Sequence, residues 1–529
     1  MSSERESRWT ARWNGWNSWK ITSLLATIAF IPRLYAAIAW TREPVWDGHF
    51  YEFGARRIAE GLGYSEDVIV NGSVASFPWC HYPVGYSGFL GLLYWIFGTG
   101  RLVGPIANAF LGTAIVGLTH RIALLWLTPI RAVVAAVLCA GSLELILYSP
   151  LVMTELLGAT LPLLAIWVAV TFSMKRVGSA LSGCIIGLST LVQPQSILLA
   201  PIVGGITQTG RVWTRQRLLC IAIATASATV VVLPWTIRNC RSLDGCAFVS
   251  TNGGWNLAIG SFPRASGRFE TLRDHDGCEV VTGPVQQNSC WRDNGLTWIK
   301  QDFRRWIRFV PAKLGYCFDY SAFPVDYMAQ ADPSVWTASS RSAWKDALTR
   351  AFRLLISVSA FAFVGWRARS RRSLAQEAIV CAVIAGLVRL AWCADSGTFW
   401  PLAIGIAISG LWPRKSAPKL VPIGFSIAAL AAILIVTDVV LSGEDPYHVR
   451  CMFWPLAIVI AISGLWPRKS APELGPIGFS IAALFAIFIV THIVFFGEDR
   501  YHVRLLPLLC ILAASVGRSS QCVKQRQHF

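Results

Sequence analysis

Long apolar runs, each close to the thickness of a bilayer, alternate along this chain with short segments rich in arginine and lysine. A helix needs roughly 20 mostly apolar residues to cross the hydrocarbon core. Such runs lie near 21–40, 102–122, 131–148, 154–173, 178–193, 195–209, 218–236, 350–366, 374–393, 398–412, 420–442, 451–466, 474–496 and 505–517. The first run is long, and no small-residue cleavage site separates it from the segment that follows. It therefore reads as a retained span and not a removed leader. The pattern predicts an all-α polytopic membrane protein of about 14 transmembrane helices, with interfacial helices and a small extracytoplasmic lobe.

The basic groups orient these spans. They recur at alternate loops: Arg5, Arg8, Arg12 and Lys20; His120, Arg121 and Arg131; Lys175 and Arg176; Arg211, Arg215 and Arg217; Arg367 to Arg372; Arg414, Lys415 and Lys419; Arg468 and Lys469; Arg518, Lys524 and Arg526. Cytoplasmic loops carry such an excess. Placing all of them inside is self-consistent and puts both termini in the cytoplasm. The apolar segment 83–98 is too short for a full span and would invert the rest, so it reads as an interfacial helix. Two large segments remain outside, 41–101 and 237–349. The expected organisation is an N-terminal membrane module (1–236) with a catalytic first outer loop (41–101), a lobe (237–349), and a C-terminal membrane module (350–529). Within the lobe the pattern reads as loop and turn to 290, then one amphipathic helix over 297–314. That helix places Trp298, Ile299, Trp306, Phe309 and Val310 near one face and Arg304, Arg305 and Arg308 elsewhere.

Composition supports this class. Hydrophobic residues are 54% and charged residues 14% of 529, against about 25% charged in a soluble chain. The net charge of +18 does not indicate a nucleic-acid partner, because the basic residues follow the loops. Of the 14 cysteines, Cys80, Cys240, Cys246, Cys278, Cys290 and Cys317 fall outside, where disulfides form. Cys240 with Cys246 and Cys278 with Cys290 are the simplest pairs. No CxxC, HExxH or Walker-type motif appears, so zinc and nucleotide chemistry lack motif support. No cofactor is firmly expected, and a divalent metal has no motif behind it.

The C-terminal third contains a tandem duplication. FWPLAIGIAISGLWPRKSAP from Phe399 returns as FWPLAIVIAISGLWPRKSAP from Phe453, and GEDPYHVR (443–450) as GEDRYHVR (497–504). The copies span 399–450 and 453–504. Each holds two spans, so orientation is preserved. The second copy has Arg500 where the first has Pro446, and it leads into the last span. It is expected to hold the ancestral position.

Candidate chemistry gathers in the first outer loop. EPVWDGHFYEFGARRIAEGLGY (43–64) sets Asp47 just beyond the first span, and HYPVGYSGFLGLLYWIFG (81–98) follows. A carboxylate at the membrane–water boundary, beside grooves able to hold a lipid tail, suits chemistry on a lipid-linked substrate. Other readings stay open. Asp47 is also placed to cap the next helix, and Glu155 to cap the fourth span. Arg238 suits a headgroup anchor, His81 a loop hydrogen bond, and the arginines of 297–314 a helix lying on lipid. His448 and His502 invite a metal, without a carboxylate cluster beyond the Glu–Asp pair of the same loops.

The ordered landmarks resemble the membrane-embedded GT-C glycosyltransferases, of the bacterial protein-mannosyltransferase and aminoarabinose-transferase-like superfamily. They are Asp47, Tyr51, Ala55, Gly61, Gly63 and Tyr64; Pro83, Gly85 and Tyr86; YSPLVMTELL (148–157) with Glu155; LPWTIRN (233–239); STNGGWNLAIG (250–260); and GEDRYHVRLLPLL (497–509). The resemblance implies a polyprenyl-phosphate-linked sugar donor and an extracytoplasmic acceptor, a cell-envelope glycan, lipid or protein. It implies a bacterial cytoplasmic (inner) membrane location, with the site facing outside. It casts Asp47 and Glu155 as catalytic, and Tyr51, His81, Tyr82, Arg238, Arg304, Arg305, Arg500 and Tyr501 as substrate-binding. Two departures stand out: the duplication, and Glu155 where relatives often have Asp. A transporter or lipid flippase, or a noncatalytic paralogue, is the alternative. A transporter would set charges at mid-membrane, where Arg389 is the main exception in this chain.

Overall fold

Helix α1 (Trp16–Ala39) wears its apolar side chains outward. Leu24, Ile28, Ile31, Tyr35 and Ile38 are all exposed, at helical spacing, while Arg33 is completely buried. That inverts the pattern of a water-soluble helix and matches a lipid-facing one. The structure is a computed structural model that describes residues 16–70, 72–208, 214–279, 283–367 and 475–516. The spans expected between 374 and 466, the first repeat copy, Arg389 and His448 lie outside the described residues.

After α1 come α2 (Asp47–Ala59), an antiparallel hairpin of β1 (Ser65–Val70) and β2 (Ser73–Pro78), and α3 (Val84–Phe97). Arg57 on α2 holds the hairpin. Its guanidinium donates to both Asp67 carboxylate oxygens at 2.8 and 2.9 Å and to Ser65 Oγ at 3.0 Å. The bundle continues with α4 (Val103–Leu124), α5 (Pro129–Ala140), α6 (Leu143–Leu147), α7 (Glu155–Thr171), α8 (Lys175–Val192), α9 (Ala200–Ile206) and α10 (Arg215–Ser242). The lobe adds α11 (Gly253–Ile259), α12 (Pro284–Gln301), α13 (Phe303–Arg308), α14 (Val310–Phe318) and α15 (Phe323–Ala331). Then come α16 (Ala338–Arg367), α17 (Gly475–Val494), a 3₁₀ stretch (Asp499–Leu505) and α18 (Leu506–Ala513).

Four helices among the described residues are long and apolar enough to cross a membrane, within α1, α4, α10 and α17. The chain fits a helical membrane protein. Several expected spans differ in detail. The 131–148 run is broken between α5 and α6 at Gly141 and Ser142, where Ser142 Oγ accepts the Leu145 N–H. Arg33 stabilises the break by donating to the carbonyls of Cys139 and Ala140 at the end of α5, at 3.1 and 3.2 Å. The 195–209 run is a 3₁₀ turn (Pro194–Leu199) followed by α9, because Pro194 and Pro201 lack an N–H to donate.

The single helix expected over 297–314 is three helices. Asp302 leaves helical geometry at φ −143° and accepts the Arg305 N–H at 2.9 Å, starting α13. Pro311 then sits in the first turn of α14. The lobe before 290 also holds α11 and the start of α12 where only loop was expected. It carries both disulfides anticipated from the sequence, Cys240–Cys246 and Cys278–Cys290.

Close approach of α8 and α10 uses small residues four apart. Gly183 faces the Ala224 backbone, and a Cβ on Gly187 would lie 2.7 Å from the Ala228 carbonyl oxygen. One large core joins the membrane helices to α14, α15 and the 3₁₀ stretch. A second, around Phe262, Trp291 and Phe496, ties the lobe to the end of α17. These two cores bring the loop after α17 against the loop after α1.

Candidate active site

Asp47 is the first residue of α2, and the preceding Trp46 has a positive φ of 51°. A bulky residue in that conformation is strained and needs surrounding structure to hold it. Trp46 packs its ring against Phe323 and Tyr327, at 5.6 and 5.8 Å, and the Tyr327 hydroxyl accepts the Val45 N–H at 3.1 Å. Asp47 is thereby aimed into the molecule. No side-chain cap bond forms at this helix start. The carboxylate serves two other partners: Tyr82 donates to Oδ1 at 2.7 Å, and Arg500 Nη1 donates to Oδ2 at 2.5 Å.

The electrostatics follow from this pairing. Burial pushes the Asp47 carboxyl up, but Arg500 and the Tyr82 hydroxyl outweigh it and hold it below the usual carboxylate range. Arg500 itself is driven well above its ordinary value. Burial opposes the charge, and Glu498, Tyr501 and Asp47 together more than compensate. Burial keeps His81 below its usual range, against a smaller pull from Asp47.

Arg500 is shared. Its Nε lies 2.6 Å from Glu498 Oε2, close but misaligned, an ion contact and not a hydrogen bond. Its guanidinium also sits over the rings of Phe323 and Tyr501, at 5.2 and 5.1 Å. Glu155 opens α7 and is buried. Its Oε2 has no hydrogen-bond partner among the described residues. Arg500 and Arg504 are the cations it senses most strongly. Three carboxylates, Asp47, Glu155 and Glu498, thus surround two guanidiniums.

Two neighbours of Arg500 fix the 3₁₀ stretch. Asp499 Oδ2 accepts the backbone N–H of Ala322 and Phe323, at 2.5 and 2.7 Å. His502 is fully buried, stacked on Phe352 at 3.8 Å. Its Nδ1 contacts the Cys317 carbonyl at 2.7 Å and its Nε2 the Glu144 carboxylate at 3.0 Å. Both partners accept, so both nitrogens carry protons whenever Glu144 is ionised. Burial lowers the His502 value and Glu144 more than restores it. With both ring nitrogens engaged, His502 is a brace. Among the described residues no cluster of three or more His, Cys, Asp or Glu could hold a metal ion.

The other sequence candidates divide. Tyr51 is buried against Tyr82 and Tyr86, at 5.3 and 5.6 Å between ring centres. His81 packs on Tyr82 at 5.0 Å, and Tyr501 stacks on His492 at 4.5 Å. These, with Tyr82, Glu155 and Arg500, gather around Asp47. Arg238 does not. It donates to the Tyr64 and Trp79 carbonyls, at 2.6 and 3.1 Å, clasping the hairpin to α10. Arg305 donates to the carbonyls of Ser261, Phe262 and Pro263 at 2.7–3.1 Å. Arg304 is exposed on α13.

Sequence reasoning missed Glu498, Asp499 and Arg504 as parts of the site. The available signal was the density of ionisable groups in GEDRYHVR, at the entry to an apolar helix. Arg504 lines an apolar cleft of about 560 Å³, counting the part open to the surroundings. Pro162, Leu163, Leu199, Leu484, Phe488 and Leu508 form its walls, with Gln193 and His492 as further polar groups. Arg504 Nε has no hydrogen-bond partner among the described residues.

No family model matches the chain, and no curated protein matches it. Solved structures do. The oligosaccharyltransferase of Archaeoglobus fulgidus, tethered with an acceptor peptide, matches at 12% identity and a TM-score of 0.38, over 92% of this chain and 56% of that one. The archaeal oligosaccharyltransferase AglB of the same organism, with an inhibitory peptide and a dolichol-phosphate, matches at 11% and 0.37, over 95% and 50%. ArnT from Cupriavidus metallidurans bound to undecaprenyl phosphate matches at 14% and 0.34, over 95% and 79%. These are GT-C glycosyltransferases, the family resembled by the sequence landmarks. The chain spans about half the length of the oligosaccharyltransferase chains. At such identities and TM-scores the likenesses assign no activity.

Proposed function

We propose that this protein is a glycosyltransferase of the bacterial cytoplasmic membrane, with both termini cytoplasmic. It moves a sugar from a polyprenyl-phosphate-linked donor to an extracytoplasmic hydroxyl on an envelope glycan, lipid or protein. The observation that carries this reading is Asp47. It is a carboxylate gripped by Arg500 and Tyr82, and Arg504 links the same cluster to an apolar cleft. A lipid-linked phosphate has the matching parts: an apolar tail, an anion for guanidiniums, and a sugar beside a carboxylate.

In the proposed step the acceptor oxygen attacks the anomeric carbon, and its proton passes to Asp47. The bond between that carbon and the phosphate oxygen breaks, and the electron pair leaves on the phosphate. Arg500 and Arg504 face the charge that develops there. Glu155, buried beside them with its Oε2 unpartnered among the described residues, orients the cations or the acceptor. Tyr51, His81, Tyr82 and Tyr501 form the polar–aromatic wall for the sugar.

The test is single-turnover transfer by purified protein in lipid, using a panel of undecaprenyl-phosphate sugars and envelope extract as acceptor. Asp47→Asn keeps the shape and removes the base, and transfer should fall by about 10²–10⁴-fold. Glu155→Gln should fall less. Undiminished transfer by Asp47→Asn would remove the base assignment. No transfer by wild-type protein from any donor would favour the noncatalytic paralogue.

A further inference from the structure

A carboxylate oxygen that already holds a guanidinium is a weaker base than a free one. Asp47 is in that state. Tyr82 holds Oδ1, and Arg500 holds Oδ2 at 2.5 Å. Its carboxyl is correspondingly less basic than usual. The same Arg500 is the cation best placed for the donor phosphate, so one guanidinium has two duties that compete.

The grip on Asp47 is open to exchange. Arg500 donates one nitrogen to Asp47 and one to the Tyr501 hydroxyl at 3.3 Å, its Nε makes only a misaligned contact with Glu498, and its side chain keeps 12% of its surface exposed. A donor phosphate offers two non-bridging oxygens, and a bidentate grip on them surpasses a single carboxylate contact. Tyr82 remains on Oδ1 throughout, so Asp47 stays positioned as Oδ2 is freed.

Resting on the lipid-phosphate donor reading above, we infer that Arg500 exchanges partners during the reaction cycle. The donor phosphate draws the guanidinium from Asp47, and Asp47 Oδ2 becomes a competent base only once the donor is seated. The acceptor proton then goes to Oδ2. As the sugar leaves, the lipid phosphate gains a second negative charge, and the Arg500 grip tightens on it. Without donor, Arg500 keeps the base occupied.

Binding of farnesyl phosphate to the full-length protein in nanodiscs tests this, with farnesol as the uncharged control. Removing the competitor should strengthen binding: Asp47→Asn is expected to bind farnesyl phosphate about tenfold tighter than wild type, as close charge pairs couple by at least that factor. In an Arg500→Gln background, Asp47→Asn should give no further gain. A gain that persists there would mean simple repulsion between Asp47 and phosphate, and would overturn the exchange. Should Arg500→Gln abolish binding, a structure of wild type with farnesyl phosphate decides. Arg500 Nη1 should lie on the phosphate and beyond 4 Å, the salt-bridge limit, from Asp47. An Arg500–Asp47 contact kept at 2.5 Å would overturn the inference. Wild-type protein that binds farnesyl phosphate no better than farnesol would instead overturn the donor reading, and the exchange with it.

Discussion

Asp47 and Arg500 meet at 2.5 Å although 453 positions separate them in the chain. The contact joins the loop after α1 to the 3₁₀ stretch that enters α18. It exists because two independent anchors hold that stretch: Asp499 on the start of α15, and His502 between Glu144 and Cys317. The second repeat copy therefore supplies the cation of the site, the copy with Arg500 and not Pro446.

The Asp499 anchor has a measurable consequence. Asp499→Ala leaves two backbone N–H groups, of Ala322 and Phe323, without their acceptor. Unsatisfied buried donors cost about 1–3 kcal/mol each, so a loss of about 2–6 kcal/mol is expected, together with loss of transfer as Arg500 drifts. Asp499→Asn keeps a carbonyl acceptor and should be milder. Thermal melts of both variants check the order. Equal melting of Asp499→Ala and wild type would rule out the anchor.

The same stretch predicts a dependence on pH. Burial raises the Glu498 carboxyl to about 7, partly offset by Arg500, and the Asp499 carboxyl to about 6, partly offset by His502. Acids raised above their unfolded values favour the folded state most when protonated. Their contribution is complete below about 4 and is lost as pH rises through 6 and 7. His502, also raised, acts in the same direction by losing its charge. The melting temperature should therefore fall between pH 5 and 8. Glu498→Gln should flatten the upper part of that fall and leave the Asp499 part. Parallel curves for wild type and Glu498→Gln would refute the assignment.

Helix contact supplies a third prediction. Gly187 lies where any Cβ meets the Ala228 carbonyl of α10 at 2.7 Å. Gly187→Leu should force α8 from α10 and cost about 1–3 kcal/mol as overpacking. Leu188 is 49% exposed on the neighbouring face, so Leu188→Ala should change little. Comparing the folded fraction of the two in mild detergent separates packing from general hydrophobicity.

Much of the architecture was legible in the chain. Apolar runs near bilayer length marked α1, α4, α10 and α17, because the cost of burying polar groups in hydrocarbon writes span length directly into composition. The Cys240–Cys246 and Cys278–Cys290 pairs followed from short spacing within one lobe. Asp47 stood out as a carboxylate beside a span. Helix breaks were harder to read. Arg33 lies in an apolar run, and its task of holding the last carbonyls of α5 depends on a helix more than a hundred residues away.

The arginines divide what sequence determined from what tertiary structure decided. Sequence placed Arg238, Arg304, Arg305 and Arg500 in the same loops and lobe, and nothing local ranked them. Folding gave Arg238 and Arg305 to backbone carbonyls, left Arg304 exposed, and delivered Arg500 to Asp47. It also added Glu498 and Arg504, which lie in the GEDRYHVR landmark but carried no assigned role there. A guanidinium offers five N–H donors that backbone carbonyls and carboxylates can both accept. Its role is set by the groups that packing brings within reach, and between distant segments that information exists only in three dimensions.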